Sequence, residues 1–385
     1  MTKSTIRRTL LAAVSGLALV SLTGCGNQPA ATGNQVHEWN IKFQPKLPIF
    51  TASKHQARWL YGVSFATKTR GVVVGDNAYV GLTTNAGKSW THVKVPTIHD
   101  LRGISWATPK IGVAVGDNRT ILRTTDGGAV WTKVAPPKGL RWYDLEAIKF
   151  ATAKVGYIVG DTGTILKTID GGKVWSQQKS GTKIDLRSVS AATVNRVAAV
   201  GDHGVVLLTT NGGNNWKKTW TPQDAALYSV FYYPHSHTLW TVGTAPHKND
   251  IGIQGANVNV YKSTTAGKSW NTYSTGQTSS VWSMYFTTKT KGWAVDEGQV
   301  LHTTNGGKTW DAKHPVYNQP SGTDWWAESI TKAPHGSFWF VGIPSTSGPG
   351  GLSTGQITIF RSTSAAGTKF VNGGGFPQPK NSAAA

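Results

Sequence analysis

The chain of 385 residues has one cysteine, two methionines and only 18 carboxylates. A single cysteine rules out an intramolecular disulfide, so packing alone must hold any exported domain. Few carboxylates leave 39 Lys and Arg largely unopposed, for a formal net charge of +21. They also leave little material for chemistry that runs on paired acids. No amphipathic helical run of any length follows the N-terminal region, which excludes helical bundles and points to an all-β chain. No Gly-x-Ser-x-Gly elbow occurs. The recurrent "VGDxG" is followed by no helix, and so is a hairpin turn and not a phosphate loop.

What the chain does have is glycine (45) and tryptophan (17), the composition of a turn-rich, aromatic-packed β protein. Its first residues stand apart. Lys3, Arg7 and Arg8 precede an apolar run from Leu10 to Leu22, too short to span a bilayer. The run ends in Leu22-Thr23-Gly24-Cys25, which resembles a bacterial lipoprotein signal with its lipobox. Residues 1–24 are therefore expected to be a signal peptide, Cys25 the lipidated residue, and 25–36 a flexible linker. An ordinary signal peptide with an incidental cysteine is the alternative, and Arg7-Arg8 also suggests twin-arginine export, with poorly matching flanks. Two or three acyl chains on one residue anchor stably, which places the mature chain on the extracytoplasmic face of the bacterial cell membrane. Removal of 1–24 takes three cations and leaves +18. A basic surface suits nucleic acid, anionic lipid or an acidic partner, and export argues against nucleic acid.

One phrase recurs down the remainder. "LRTTDGGAVW" (122–131) returns at 82–90, 166–175, 208–216, 262–270 and 301–310, with a worn copy at 361–370. The closing aromatics, Trp90, Trp131, Trp175, Trp216, Trp270, Trp310 and Phe370, are 41, 44, 41, 54, 40 and 60 residues apart. Within each interval lie four short alternating runs separated by Gly/Asp/Asn turns, such as "LEAIKFAT", "VGYIVGD", "TILKTI" and "VWSQQ" in the third. Seven units of four antiparallel strands predict a seven-bladed β-propeller over 37–371, with 372–385 as a disordered tail. The phrase resembles the Asp-box of BNR repeats, a hairpin between third and fourth strands. Asp126, Asp170, Asn85, Asn211 and Asn305 fill its acidic or amide position, while Thr265 and Ala365 depart from it. Seven copies spaced round a ring cannot converge on one site, so these residues are read as structural. "EWNIKF" (38–43) resembles a fourth strand, and Trp39–Phe43 is expected to complete the seventh blade.

The long irregular insertions (134–143, 217–227, 244–257, 313–327 and 343–355) all fall on the face opposite the Asp-box turns. They carry Arg141, Trp142, Tyr143, Trp220, Trp325 and Trp326, which the repeat does not need. Counting back from "VGD" gives a column at the start of each first strand: Tyr61, Arg102, Glu146, Arg187, Ser229, Trp282 and Glu328. These should ring the channel mouth on that face. The candidate partner-binding residues are Arg102, Arg141, Trp142, Glu146, Arg187, Trp282, Trp325, Trp326 and Glu328. A solvated rim with tryptophans packed under loops is the plainer alternative. His235, His237 and His247 lie near the fifth insertion, but no carboxylate or cysteine completes a metal set. Neither a metal, a cofactor nor a catalytic residue is expected.

"VGDTGTILKTIDGGKVW" (159–175), with its sevenfold variation, resembles the photosystem II stability/assembly factor family of propellers. The resemblance implies a non-enzymatic, chaperone-like protein on the lumenal, extracytoplasmic side. Its partner would be a membrane-protein complex or assembly intermediate. The family's arginine patch carries over onto Arg102 and Arg187, and a monomer is expected. A glycan- or cell-wall-binding module also fits exposed tryptophans, whose faces stack on sugars. A sialidase-like glycoside hydrolase is a third reading, since Asp-boxes occur there too. It would need an arginine triad, a Tyr–Glu pair and an Asp acid/base. The chain has few Glu, lacks a Phe/Tyr-Arg-Ile-Pro motif, and has more units than such enzymes usually show.

Overall fold

The computed structural model describes residues 59–244, 258–296, 299–313, 323–334, 336–346, 358–362 and 370–372. Seven antiparallel sheets of four strands each lie within them, every sheet keeping its strands in chain order. The fold is an all-β, seven-bladed propeller. First strands run Leu60–Phe65, Leu101–Trp106, Leu145–Phe150, Leu186–Ala191, Leu227–Tyr232, Ser283–Phe286 and Thr323–Lys332. They adjoin one another from blade 1 to blade 7 and back to blade 1, and so surround the axis.

The second strands are buried along their whole length, as in "GVAVG" (Gly112–Gly116) and "GYIVG" (Gly156–Gly160). Both of their faces meet protein, which is why they read as continuous small-apolar runs and not as alternating ones. Between blades 2 and 3, for instance, Val113 and Val115 meet Ile148, Phe150, Ile158, Leu166 and Trp175 in one buried cluster. The fourth strands of blades 1 to 3 are two exposed residues each, short edges that offer little to a foreign strand.

The Asp-box is a hydrogen-bonded knot. In blade 2, Asp126 Oδ1 accepts from the N–H groups of Ala129 and Val130 at 2.9 and 3.1 Å and from the Thr124 hydroxyl at 2.7 Å. Thr124 Oγ1 accepts from Gly128 N–H at 3.0 Å, and Trp131 Nε1 donates to Gly128 O at 3.0 Å. Gly128 has φ +96°, and a Cβ there would stand 3.0 Å from Val72 Cγ2 in the neighbouring blade. Burial is the largest single influence and raises the Asp126 carboxyl, but these donors together outweigh it and hold the group below the usual carboxylate range. In blade 5 the hydroxyl of Thr265 replaces the carboxylate, accepting from Ser269 N–H at 2.9 Å. The terminal tryptophans of blades 1 to 3 are buried, Trp90, Trp131 and Trp175 being 0, 4 and 3 % exposed, and those of blades 4 to 6 are half-buried.

Blades 2 and 3 are each clipped to the next by a third-strand cation. Arg123 Nε donates to Gly171 O at 2.8 Å, and Lys167 Nζ to Gly212 O at 2.5 Å. The ring closes by the same device, with Arg361 Nη1 on Ala86 O at 3.0 Å. Trp339 of blade 7 also stacks on Phe65 of blade 1 at 4.5 Å.

Two expectations are corrected. Phe370–Asn372 pairs beside Thr358–Ser362 in blade 7, so Asn372 is a strand residue and not tail. Trp325 and Trp326 do not sit in a loop. They lie in the ten-residue strand Thr323–Lys332, opposite Pro344 and Ile343. Their side chains, and the calls on residues 1–43 including Cys25 and on His247, lie outside the described residues.

Candidate functional site at the channel mouth

The mouth is built around the Gly-Asp that ends the second strand in blades 1 to 4. A Cβ on Gly116 would lie 1.9 Å from Asp100 O, so only glycine allows this backbone approach. Asp117 N–H then donates to that same carbonyl at 3.0 Å. The crossing forces a one-residue bulge in the first strand, between Leu101 and Gly103. The same irregularity falls between Leu60 and Gly62, Leu145 and Ala147, Leu186 and Ser188, Leu227 and Ser229, and Ala327 and Ser329. The bulged residues are Tyr61, Arg102, Glu146, Arg187, Tyr228 and Glu328, with Trp282 at the equivalent place before Ser283. The fifth member is thus Tyr228 and not Ser229.

The bulge aims these side chains at one another across blades. Arg102 Nε meets Asp117 Oδ1 at 2.6 Å and stands 3.9 Å from Glu146 Oε2. Arg187 Nη1 donates to Glu146 Oε1 at 3.0 Å, while its Nε and Nη2 hold Asp202 Oδ1 and Oδ2 at 3.0 and 2.7 Å. Glu146 therefore joins the two arginines of the flanking blades. Tyr61 lies under the Arg102 guanidinium at 5.2 Å. Farther round, Tyr228 and Trp282 stack at 4.5 Å and 9°. Blades 2 to 4 thus give the ring a charged arc, and blades 5 and 6 an aromatic one.

Burial opposes charge on both partners of the Arg102–Asp117 pair. Arg102 stays a cation because Glu146 and Asp117 both face it. The Asp117 carboxyl is the one that yields, pushed up to about 6 by burial despite Arg102. Asp296 of blade 6, fully buried, is also pushed up to about 6 by burial, with Gln299 N–H at 2.7 Å and the Ser279 hydroxyl at 3.3 Å offsetting part of that cost.

A second set of carboxylates locks neighbouring blades. Asp100, Asp144 and Asp185 accept from the backbone N–H of Asn77, Asn118 and Thr162 at 2.8, 3.0 and 2.7 Å. The turn 117–119 thereby ties the mouth to the insertion 134–143. Asp117 holds Arg102, Asn118 holds Asp144, and Arg119 reaches Trp142. The Arg119 guanidinium lies 3.8 Å over the indole of Trp142 and donates to Leu140 O at 2.6 Å. Trp142 is nonetheless 70 % exposed. Arg141 beside it is exposed, and Trp220, at the end of a blade 4 strand, is 46 % exposed.

The structure thus brings together Arg102, Glu146 and Arg187, and places Trp282 with Tyr228, only 9 % exposed. Arg141 and Trp142 form a separate, outer platform, and Glu328 keeps its place in the ring. Sequence reasoning missed Arg119, whose role rests on a cross-blade contact, and the Gly-Asp carboxylates that pair the arginines. His237 Nε2 accepts from Arg196 Nη1 at 2.9 Å, on the Asp-box face. Among the described residues no three His, Cys, Asp or Glu side chains converge as a metal set.

Fold and mouth define a class, the seven-bladed Asp-box propeller with a mixed charged and aromatic channel rim. Residues 82–225 match the family described as photosynthesis system II assembly factor YCF48. Two solved structures share the fold. One, YCF48 bound to D1 peptide, has TM-score 0.59 at 20 % identity, over 75 % of this chain and 90 % of that one. The other, YCF48 from Cyanidioschyzon merolae, has TM-score 0.57 at 16 % identity, over 74 % and 93 %. Comparison with curated protein sequences finds no match. The chain is a propeller like the photosystem II assembly factors.

Proposed function

We propose that this protein is a non-enzymatic binding scaffold, an assembly factor that engages a membrane-protein partner with its loop-rich face. In this reading it is exported and held at the extracytoplasmic membrane face through lipid on Cys25. The observation that carries the binding assignment is Trp142, a large aromatic left 70 % exposed yet pinned by Arg119. A preorganised, exposed tryptophan is the type of side chain that anchors interfaces, because little freedom is lost when it is covered. Support comes from the neighbour solved with a D1 peptide, and from the family match, which spans the blades that supply Arg102, Glu146, Arg187 and Trp142. Three acids of the mouth, Asp117, Glu146 and Asp202, are each engaged by an arginine. That favours a structural rim over acid/base chemistry.

The arginines are equally engaged. An acidic segment would have to displace Glu146 or Asp202 to reach Arg187, so the partner is expected to contact the aromatic and outer parts of the face first. The test places a photo-reactive phenylalanine analogue at Trp142 or at Lys154, on the opposite face, in the full chain in its own membranes. An adduct with a membrane-protein segment from position 142 alone is expected. Identical adducts from both positions, or adducts with glycan only, contradict the proposal.

A further inference from the structure

The +21 charge is not spread evenly. The turns between first and second strands and the Asp-box turns share one face, joined by hydrogen bonds such as Gly127 N–H to Lys110 O and Gly171 N–H to Lys154 O, both 2.9 Å. The described residues of those turns carry eleven Lys and Arg against two carboxylates, Asp126 and Asp170. Both carboxylates are already occupied by backbone N–H groups of their own turns. The opposite face comprises the bulge positions, the second-to-third turns and the fourth-to-first links. Its described residues carry eleven carboxylates against eight Lys and Arg. One face is strongly basic and the other slightly acidic.

The basic face also shows aliphatic side chains. Val130, Ile169 and Val174, at the Asp-box tips of blades 2 and 3, are 61, 69 and 66 % exposed. Lys110, Lys154 and Lys173 are exposed on the same two blades. We infer that the Asp-box face is a docking surface for an anionic phospholipid bilayer, with these lysines on headgroups and the aliphatic tips entering the interface.

The residue types choose lipid over an acidic protein. Protein interfaces favour Trp, Tyr and Arg and are depleted in Lys. Among the described turns of this face, every exposed cation is a lysine. Arg70 and Arg196 are spent on Gly127 O and His237, and the tryptophans Trp90, Trp131 and Trp175 point inward and are buried. Lysine with exposed Val and Ile on one face is the pattern of interfacial lipid binding. Docked this way, the loop-rich face looks away from the bilayer. The inference stands whether or not Cys25 carries lipid.

The single cysteine makes the test direct. In the Cys25→Ser full chain, one new cysteine at Ile169→Cys or Ile98→Cys carries an environment-sensitive dye, Ile98 being 85 % exposed on the loop-rich face. Vesicles of phosphatidylcholine, with or without about 30 % phosphatidylglycerol and a lipid-borne quencher, are then titrated in. The dye at 169 is expected to shift and be quenched only with the anionic lipid, and to recover at high salt. The dye at 98 should not respond. Each lysine at an anionic surface is worth about fivefold in partitioning, so Lys110→Glu/Lys154→Glu/Lys173→Glu, which removes three cations and adds three anions, should lower it by at least about 100-fold. Lys138→Glu/Lys179→Glu/Lys183→Glu, the same charge change on the other face, should leave it near wild type. Equal losses in the two triple variants, an equal response at 98, or no preference for anionic lipid would overturn the inference.

Discussion

Trp339→Ala strikes the seam where blade 7 meets blade 1, the last blade in chain order against the first. Trp339 is 1 % exposed in blade 7, stacked on Phe65 of blade 1 at 4.5 Å and edge-on to Trp90 at 6.1 Å. Removing a buried tryptophan costs about 3–5 kcal/mol, and each lost ring pair about 0.5–1.5 kcal/mol more. A total of about 4–8 kcal/mol is a large share of the ~5–15 kcal/mol that holds a typical domain. Trp175→Ala, also buried but with Phe150 at 6.3 Å as its ring neighbour, should cost about 3–5 kcal/mol inside a covalently continuous part of the ring. Denaturant midpoints measure the totals, and segment-resolved hydrogen exchange shows where the damage lies. Trp339→Ala should expose blades 1 and 7 first, and Trp175→Ala blades 2 and 3. An unchanged midpoint for Trp339→Ala, or the same exchange pattern in both variants, would refute closure by side-chain packing.

Other outcomes follow from particular groups. The buried Asp296 has its folded-state carboxyl raised to about 6, so the folded state holds the proton first and stability falls as pH rises through about 4 to 6. Asp296→Asn should therefore stabilise by about 2–3 kcal/mol at pH 8 and by nothing at pH 4, checked by urea midpoints at both. Asp170→Ala strips an acceptor from the N–H groups of Lys173 and Val174 and from the Thr168 hydroxyl, for a loss of about 1–2 kcal/mol. Asp170→Asn should lie within about 0.5 kcal/mol of wild type, because Asn85, Asn211 and Asn305 do the same work in their blades. Cys25→Ser should free the protein from detergent-phase fractions or leave it unprocessed; unchanged salt-resistant attachment would place the anchor elsewhere.

Blade number was legible because the Asp-box is local. A Thr two residues before Asp or Asn, glycines at positive φ and a closing Trp are fixed by one hairpin's own hydrogen bonds. The mouth was legible only as far as spacing stayed constant. Fourteen residues separate Arg102 from Gly116 and Arg187 from Gly201, but the turn Tyr233–Thr238 of blade 5 has six residues where Ala192–Arg196 has five. The count therefore landed on Ser229, one past the bulge. The pairing of Arg102 and Arg187 with Asp117, Glu146 and Asp202 was hidden for a different reason, since each bond crosses a strand or blade boundary of 15 to 41 residues. Trp325 and Trp326 looked like loop residues because blade 7 extends its first two strands to ten and nine residues, against six and five in blades 1 to 5.

The most direct measurement is the affinity of the segment captured at position 142 for the wild-type chain, Trp142→Ala and Lys154→Glu. An interface anchored on the Arg119–Trp142 platform should weaken about 30-fold in Trp142→Ala, the loss of a hot spot worth about 2 kcal/mol. Lys154→Glu should bind as wild type. Wild-type affinity in Trp142→Ala together with a loss in Lys154→Glu would move partner binding to the Asp-box face and contradict the account.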